Sequence, residues 1–209
     1  MSVQRNTIGD AIPVEADTTT RRVPAAERRD ALISAAVHEF AQTGLHGTPV
    51  DRIARRVGVA QPYVFSLFAN KRELFLAAVE RGFERVVGVF EDAAAAYGAG
   101  QSPVDCEDVL MAMGLAYVDL LHSDRDYLLL QHQSYAACAD EVVRDRVRHR
   151  YAELASRVQE LSRATPDRID EFFRKGMALN VAAALGVEDL SVNCSWVRAE
   201  LDVPASGAV

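Results

Sequence analysis

The chain has 209 residues, a formal net charge of −7 and a hydrophobic content of 49%, enough apolar material for one large core or two small ones. No uninterrupted apolar run approaches the roughly 20 residues that a bilayer crossing needs, and no apolar signal core is present, so a cytoplasmic protein without membrane contact is expected. Three scattered cysteines, Cys106, Cys138 and Cys194, form no CxxC pair and argue against a disulfide framework or a zinc site.

The acidic total conceals a division. Residues 21–72 carry nine Lys or Arg against four acids, for +5, whereas residues 73–209 carry thirteen against twenty-three, for −10. Local potential governs partner choice more than the sum does, so the N-terminal third is suited to phosphate and the remainder repels it.

In chain order, residues 1–20 lack periodicity and are expected to be a disordered tail. Arg21 and Arg22 follow, placed as a basic arm for backbone phosphate or a minor groove. A first helix is predicted from about Pro24 to Thr43, burying Leu32, Ile33, Ala36, Val37 and Phe40, with breaks at Gly44 and Gly47. A second is predicted after Thr48 as N-cap, with Pro49 in its first position and Asp51 completing a short capping box; its apolar face is Val50, Ile53, Ala54 and Val57. Gly58 ends it. A third runs from about Gln61 to Leu67, tolerating Pro62 because it lies in the first turn. Two short helices joined at a glycine read as a helix-turn-helix, the second helix being the DNA reader.

Its exposed side is predicted to carry Gln61, Pro62, Tyr63 and Ser66, with Val64 and Phe68 inward. Gln61 can pair bidentately with adenine, the Pro62 ring can meet a thymine methyl, and Tyr63 offers both a ring and a hydroxyl. Thr48 and Arg52 on the preceding helix are further candidate contacts, Arg52 lying beside Arg55 and Arg56 on its polar side. Asn70 caps a fourth helix, with Glu73 three residues on, and the helix terminus beside Lys71 suits an anion.

Arg28 to Thr43 with Phe40, Ala41 and Gly44, then Asp51, Ile53, Ala54, Val57, Gly58, Val59, Phe65, Phe68, Lys71, Glu73 and Leu74, stand in an order and spacing that resembles the TetR family of bacterial transcriptional regulators. The resemblance implies DNA contacts at Gln61, Pro62, Tyr63 and Ser66 and a phosphate contact at Lys71. Phe65 and Leu67 depart from it, since the family often has tyrosines there; a phosphate contact from a hydroxyl is unavailable at either.

The fourth helix is predicted to reach about Tyr97. Further helices are expected from Ser102 to about His122, Tyr127 to about Cys138, Asp140 to about Ala164 and Thr165 to about Leu185, with a short ninth around Trp196. The fold class is therefore all-α: a three-helix DNA-binding head, residues 21–72, on a helical body, residues 73–201, with a flexible tail at 202–209. The alternation Arg144, Arg146, Arg148, Arg150 falls within a helical pattern and reads as a solvated flank.

The family resemblance assigns the body two tasks, dimerisation through its last helices and a ligand cavity among the middle ones. Ile169, Phe172, Phe173, Gly176, Met177, Asn180, Ala183 and Ala184, with Trp196, are the expected dimer interface, large residues alternating with small ones. Phe90, Met113, Tyr117, Gln131, Tyr135 and Tyr151 are the expected cavity, apolar and aromatic with a few polar handles, suited to an organic effector. His122, His132 and His149 have no metal-ligand spacing, and no cofactor is expected. Neither is catalysis, because no acid, base and nucleophile cluster in the pattern. The expected protein is a homodimeric repressor released from an inverted-repeat operator by a small, largely apolar effector; the alternative is a helical binding module without sequence-specific DNA regulation.

Overall fold

A computed structural model describes residues 24–102 and 105–186, and among these every regular element is helical. The helices are α1 (Ala25–Gly47), α2 (Val50–Val57), α3 (Gln61–Leu67), α4 (Lys71–Gly98), α5 (Val109–Ser123), α6 (Arg125–Ala136), α7 (Glu141–Ser162) and α8 (Pro166–Ala184), with one 3₁₀ turn at Ala137–Ala139. None of them is long and apolar enough to cross a membrane. The predicted tails, Arg22, Cys194 and the helix around Trp196 lie outside the described residues.

The first helix follows its pattern: Leu32, Ile33, Ala36, Val37 and Phe40 are all buried. At Gly44 the backbone takes φ 67° and ψ −177°, so the regular helix stops there and a separate turn continues to Gly47. That combination is essentially reserved for glycine. Gly58 ends α2 in the left-handed region, its N–H reaching the Arg55 carbonyl at 3.1 Å.

The predicted start of α2 is off by one residue. Pro49, and not Thr48, occupies the cap position. Thr48 is wholly buried, and its hydroxyl faces the Gly44 carbonyl at 2.8 Å, the Glu39 carbonyl at 3.2 Å and the Thr43 hydroxyl at 2.7 Å. It closes the end of α1 instead of opening α2.

Asn70 caps α4 as its sequence suggests, accepting from the Glu73 N–H at 2.9 Å. The 28 residues of α4 span about 42 Å at about 1.5 Å per residue, from the reading helix to the far end of the body. Its first turns bury Leu74, Phe75 and Ala78, and its later ones Phe83 and Phe90. The fifth helix begins later than expected, at Val109, because Asp108 and not Ser102 accepts the first free N–H, from Met111 at 2.9 Å. Asp140 caps α7 through the N–H groups of Val142 and Val143, as predicted.

α6 is wedged between the two halves and shares with α1 the most extensive helix contact among the described residues. Asp126 accepts from His38 Nδ1 at 2.6 Å and from Gln42 Nε2 at 3.3 Å, and Gln133 lies against Gly44. The other side of α6 faces α8: Arg125 donates to the Ala183 and Ala184 carbonyls, both at 3.1 Å, and His132 Nε2 donates to the Asn180 carbonyl at 3.1 Å. The arginine flank of α7 is ion-paired surface, as expected: Arg144 with Glu141, Arg146 with Glu80, Arg148 with Asp145 and Arg150 with Glu153.

Candidate DNA-reading face and ligand cavity

α3 has one anchored and one open side. Val64 and Phe68 are buried, while Gln61, Pro62, Tyr63 and Ser66 are exposed, the division that the helical period predicts. The Ser66 hydroxyl donates back to the Tyr63 carbonyl at 2.7 Å. Phe65, which sequence reasoning set aside, is 42% exposed on the same open side. Its spacing of three and four from Pro62 and Gln61 was the available signal.

Behind this face two of the three arginines of α2 are oriented by one carboxylate. Glu39 of α1 is buried and meets Arg56 Nε at 2.9 Å and Arg52 at 3.6 Å; Arg55 pairs with Asp51 at 2.8 Å. Two cations sharing one acid leave a net positive charge beside the reading helix. An acid embedded in the apolar run Val37–Phe40–Ala41 was the overlooked sign of Glu39. Lys71 Nζ donates to the Thr48 carbonyl at 3.0 Å and the His46 carbonyl at 3.2 Å, tying the start of α4 to the end of α1. Burial holds its pKa below the usual lysine value. Its ammonium has a third N–H for an incoming phosphate. Thr48, by contrast, is withdrawn from any DNA contact by complete burial, which corrects its assignment.

In the body, α4, α5, α6, α7 and α8 surround a cavity of about 650 Å³. Phe90, Tyr117, Gln131 and Tyr151 line it, as predicted. Phe90 packs against Tyr117 at 5.8 Å and Phe172 at 5.5 Å between ring centroids, and Phe83 against Tyr151 at 5.8 Å. Two predicted members are not on the wall. Met113 is fully buried behind it, and Tyr135 supports it from outside, bonded to Gln131 and Tyr151.

The stripe of α8 expected at a subunit interface has surroundings within its own chain. Phe172, Phe173, Gly176, Met177 and Asn180 line the cavity, Met177 with 43% of its surface still exposed, and Ile169 and Ala183 are buried. Ala184 lies at the end of α8, where Arg125 holds its carbonyl. The richest apolar stripe of a helix is the one its own chain claims first. The opposite side of α8 exposes Ala178, Val181 and Leu185, the last two by 48% and 70%.

The polar atoms inside the cavity form a neutral network. The Tyr117 hydroxyl donates to Asn180 Oδ1 at 2.6 Å and lies 3.2 Å from Gln131 Oε1. Gln131 Nε2 donates to the Tyr135 hydroxyl at 2.7 Å, which reaches the Tyr151 hydroxyl at 3.3 Å. Tyr151 in turn points its hydroxyl at the Met177 sulfur, 3.0 Å away. Burial, reinforced by Tyr151, pushes the Tyr117 and Tyr135 phenols well above the ordinary tyrosine range.

A basic, open-faced helix-turn-helix joined by one long helix to a hollow helical body is the layout of a DNA-binding head on a cavity-bearing body. Residues 32–78 match the family model described as bacterial regulatory proteins, tetR family. The HTH-type transcriptional activator FasR of Mycolicibacterium smegmatis is 30% identical over 128 residues, 61% of this chain; the match spans a little over half, 56%, of that relative's length. Among solved structures, a TetR-family member from Streptomyces coelicolor A3 shares the fold at a TM-score of 0.63 and 21% identity, over 86% of this chain and 99% of that one. The fatty acid degradation regulator FadR from Bacillus halodurans does so at 0.63 and 16%, over 83% and 93%. Residues 32–78 thus carry the tetR-family DNA-binding signature, and the chain shares the all-α fold of the solved TetR-family structures.

Proposed function

We propose that this chain is a homodimeric, cytoplasmic repressor that grips an inverted-repeat operator through α3 and is released by a small, largely apolar effector. The observation that carries the reading is the position of α6, one side of which holds α1 through Asp126 and Gln133 while the other walls the cavity through Gln131. An occupant that displaces Gln131 acts on the helix to which the head is keyed. It lowers operator affinity only by its differential affinity for the two head positions.

Two reading helices must meet major-groove segments about 34–36 Å apart, which requires a symmetric pair. The exposed Ala178, Val181 and Leu185 supply an apolar strip on α8 for the second copy. The basic arm at Arg22, the α3 face and Lys71 then divide the work between phosphate and base edges. The name of the FadR neighbour, a fatty acid degradation regulator, supports an aliphatic effector. That of the FasR relative favours a second reading, in which the same protein activates transcription.

Selection of bound duplexes from a random pool tests the DNA half. An enriched inverted repeat is expected, with Gln61→Ala or Tyr63→Ala altering base preference by about 1–3 kcal/mol at one position per half-site. Lys71→Ala should weaken all duplexes alike and flatten the salt dependence by about one unit of slope. Absence of any enriched repeat sinks the reading. Transcription in vitro from the selected site separates repression from activation.

A further inference from the structure

The network in the cavity ends on a poor partner. From Gln131 through Tyr135 to Tyr151 each donor meets an oxygen, but the last hydroxyl is given to the thioether of Met177, a weak acceptor. Met177 is itself 43% exposed and unbranched, so little holds it in place. The Tyr151 hydroxyl is therefore the polar group in the cavity with most to gain from an occupant.

We propose that the effector is an uncharged molecule, an aliphatic or aromatic body bearing an ester, ketone, amide or lactone carbonyl, whose oxygen accepts the hydrogen bond that the Tyr151 hydroxyl otherwise gives to the Met177 sulfur. This rests on the cavity being the effector site.

The charges around the cavity argue against a free carboxylate. The acids on its wall are Glu107, Asp108, Asp124 and Glu171, against the cations Arg168 and Lys175 and the imidazole of His122, whose Nδ1 is held by the Val118 carbonyl at 2.9 Å. Both cations are engaged, Arg168 with Asp108 and Lys175 with Glu171 at 2.6 Å. A buried anion would leave water without a counter-charge, a far larger cost than that of a hydrogen-bonded carbonyl. The neighbouring phenols register the same environment, since it holds them in their neutral form. A carbonyl needs only one donor, and Tyr151 provides it.

N-phenyl-1-naphthylamine, a neutral dye without a carbonyl, reports whether the full-length protein takes up an apolar guest. Its displacement at pH 7.5 by methyl octanoate, 1-chlorooctane and sodium octanoate tests the chemistry. Tyr151→Phe should weaken methyl octanoate about fivefold, the loss of one hydrogen bond between neutral groups, and leave 1-chlorooctane and the dye unchanged. Octanoate should compete at least about tenfold more weakly than the ester. The proposal is overturned if octanoate competes as well as the ester, or if Tyr151→Phe weakens ester and chloroalkane equally. Failure of the dye to bind at all would instead remove the cavity reading on which the proposal stands.

Discussion

Around Phe40 the helices close completely. Its ring meets Phe75 edge-on at 5.0 Å, and Leu32, Ile53, Leu74 and Val64 are buried in the same core. Around Phe172 they do not: its ring touches Phe90 and Phe173 on one side and borders about 650 Å³ of cavity on the other. The two regions have similar side chains and opposite packing. The head follows the general rule that protein interiors pack like organic crystals, whereas the lining of the body's cavity forgoes dispersion contacts that an occupant could supply.

Deleting one ring from each region should expose the difference most sharply. Phe40→Ala removes a wholly buried ring from a core that cannot collapse and should cost about 3–5 kcal/mol in urea unfolding. Phe172→Ala enlarges a space that already exists and should cost less than about 2 kcal/mol. Equal costs would mean that the body is as tightly packed as the head.

Gly44→Ala comes next, at about 1–3 kcal/mol. The added Cβ would overlap the Gln133 amide oxygen, but that is the mobile end of a side chain, so the positive φ should dominate. Adding Gln133→Ala should recover only a minor part of the loss in the same unfolding assay. Recovery of most of it would make the α1–α6 contact, and not the backbone, the limiting feature.

Thr48→Val keeps the shape and removes the buried hydroxyl from the Glu39 and Gly44 carbonyls, for about 1–2 kcal/mol. Its ratio of operator to random-duplex affinity should match that of the parent protein. A changed ratio would return Thr48 to the DNA interface.

The smallest effect lies at the junction of the halves. The hydrogen bond from Arg72 lowers the Asp140 pKa, with help from the Val143 and Val142 N–H groups. A lowered folded-state value means that this stabilisation is complete above the ordinary carboxylate pKa of about 3.9 and is lost as the pH falls through the folded value. Asp140→Asn should therefore narrow its melting-temperature gap to the parent protein as the pH is taken from 6 down to about 3. A gap that stays constant would show that Asp140 acts as a cap alone.

The head was legible because its constraints are local. Gly58 must end a helix, Asn70 must begin one, and Val64 and Phe68 must turn inward if Gln61 and Tyr63 turn out. Thr48 misled because a threonine before a proline has the composition of a cap, while the carbonyls that claimed its hydroxyl lie four and nine residues back. In the body, Asn180 and Phe172 stand out as part of an apolar stripe, and the fold turns that stripe toward the cavity. Periodicity shows that a helix has an apolar face and is silent on whether the same chain or another copy covers it. The polar network joins Tyr117 to an asparagine 63 residues away, a pairing that no local pattern can announce.

The grip of Arg125 and His132 on the last turns of α8 has a consequence for assembly. The acceptors of that clasp are all backbone carbonyls, of Asn180, Ala183 and Ala184, so it does not depend on which side chains α8 carries there. If the outer strip of α8 meets a second copy, the angle at which two subunits lean together passes through this clasp into α6, and from there into the distance between the two DNA heads. Substitutions on the outer surface of α8, remote from both DNA and guest, would then retune the preferred operator spacing.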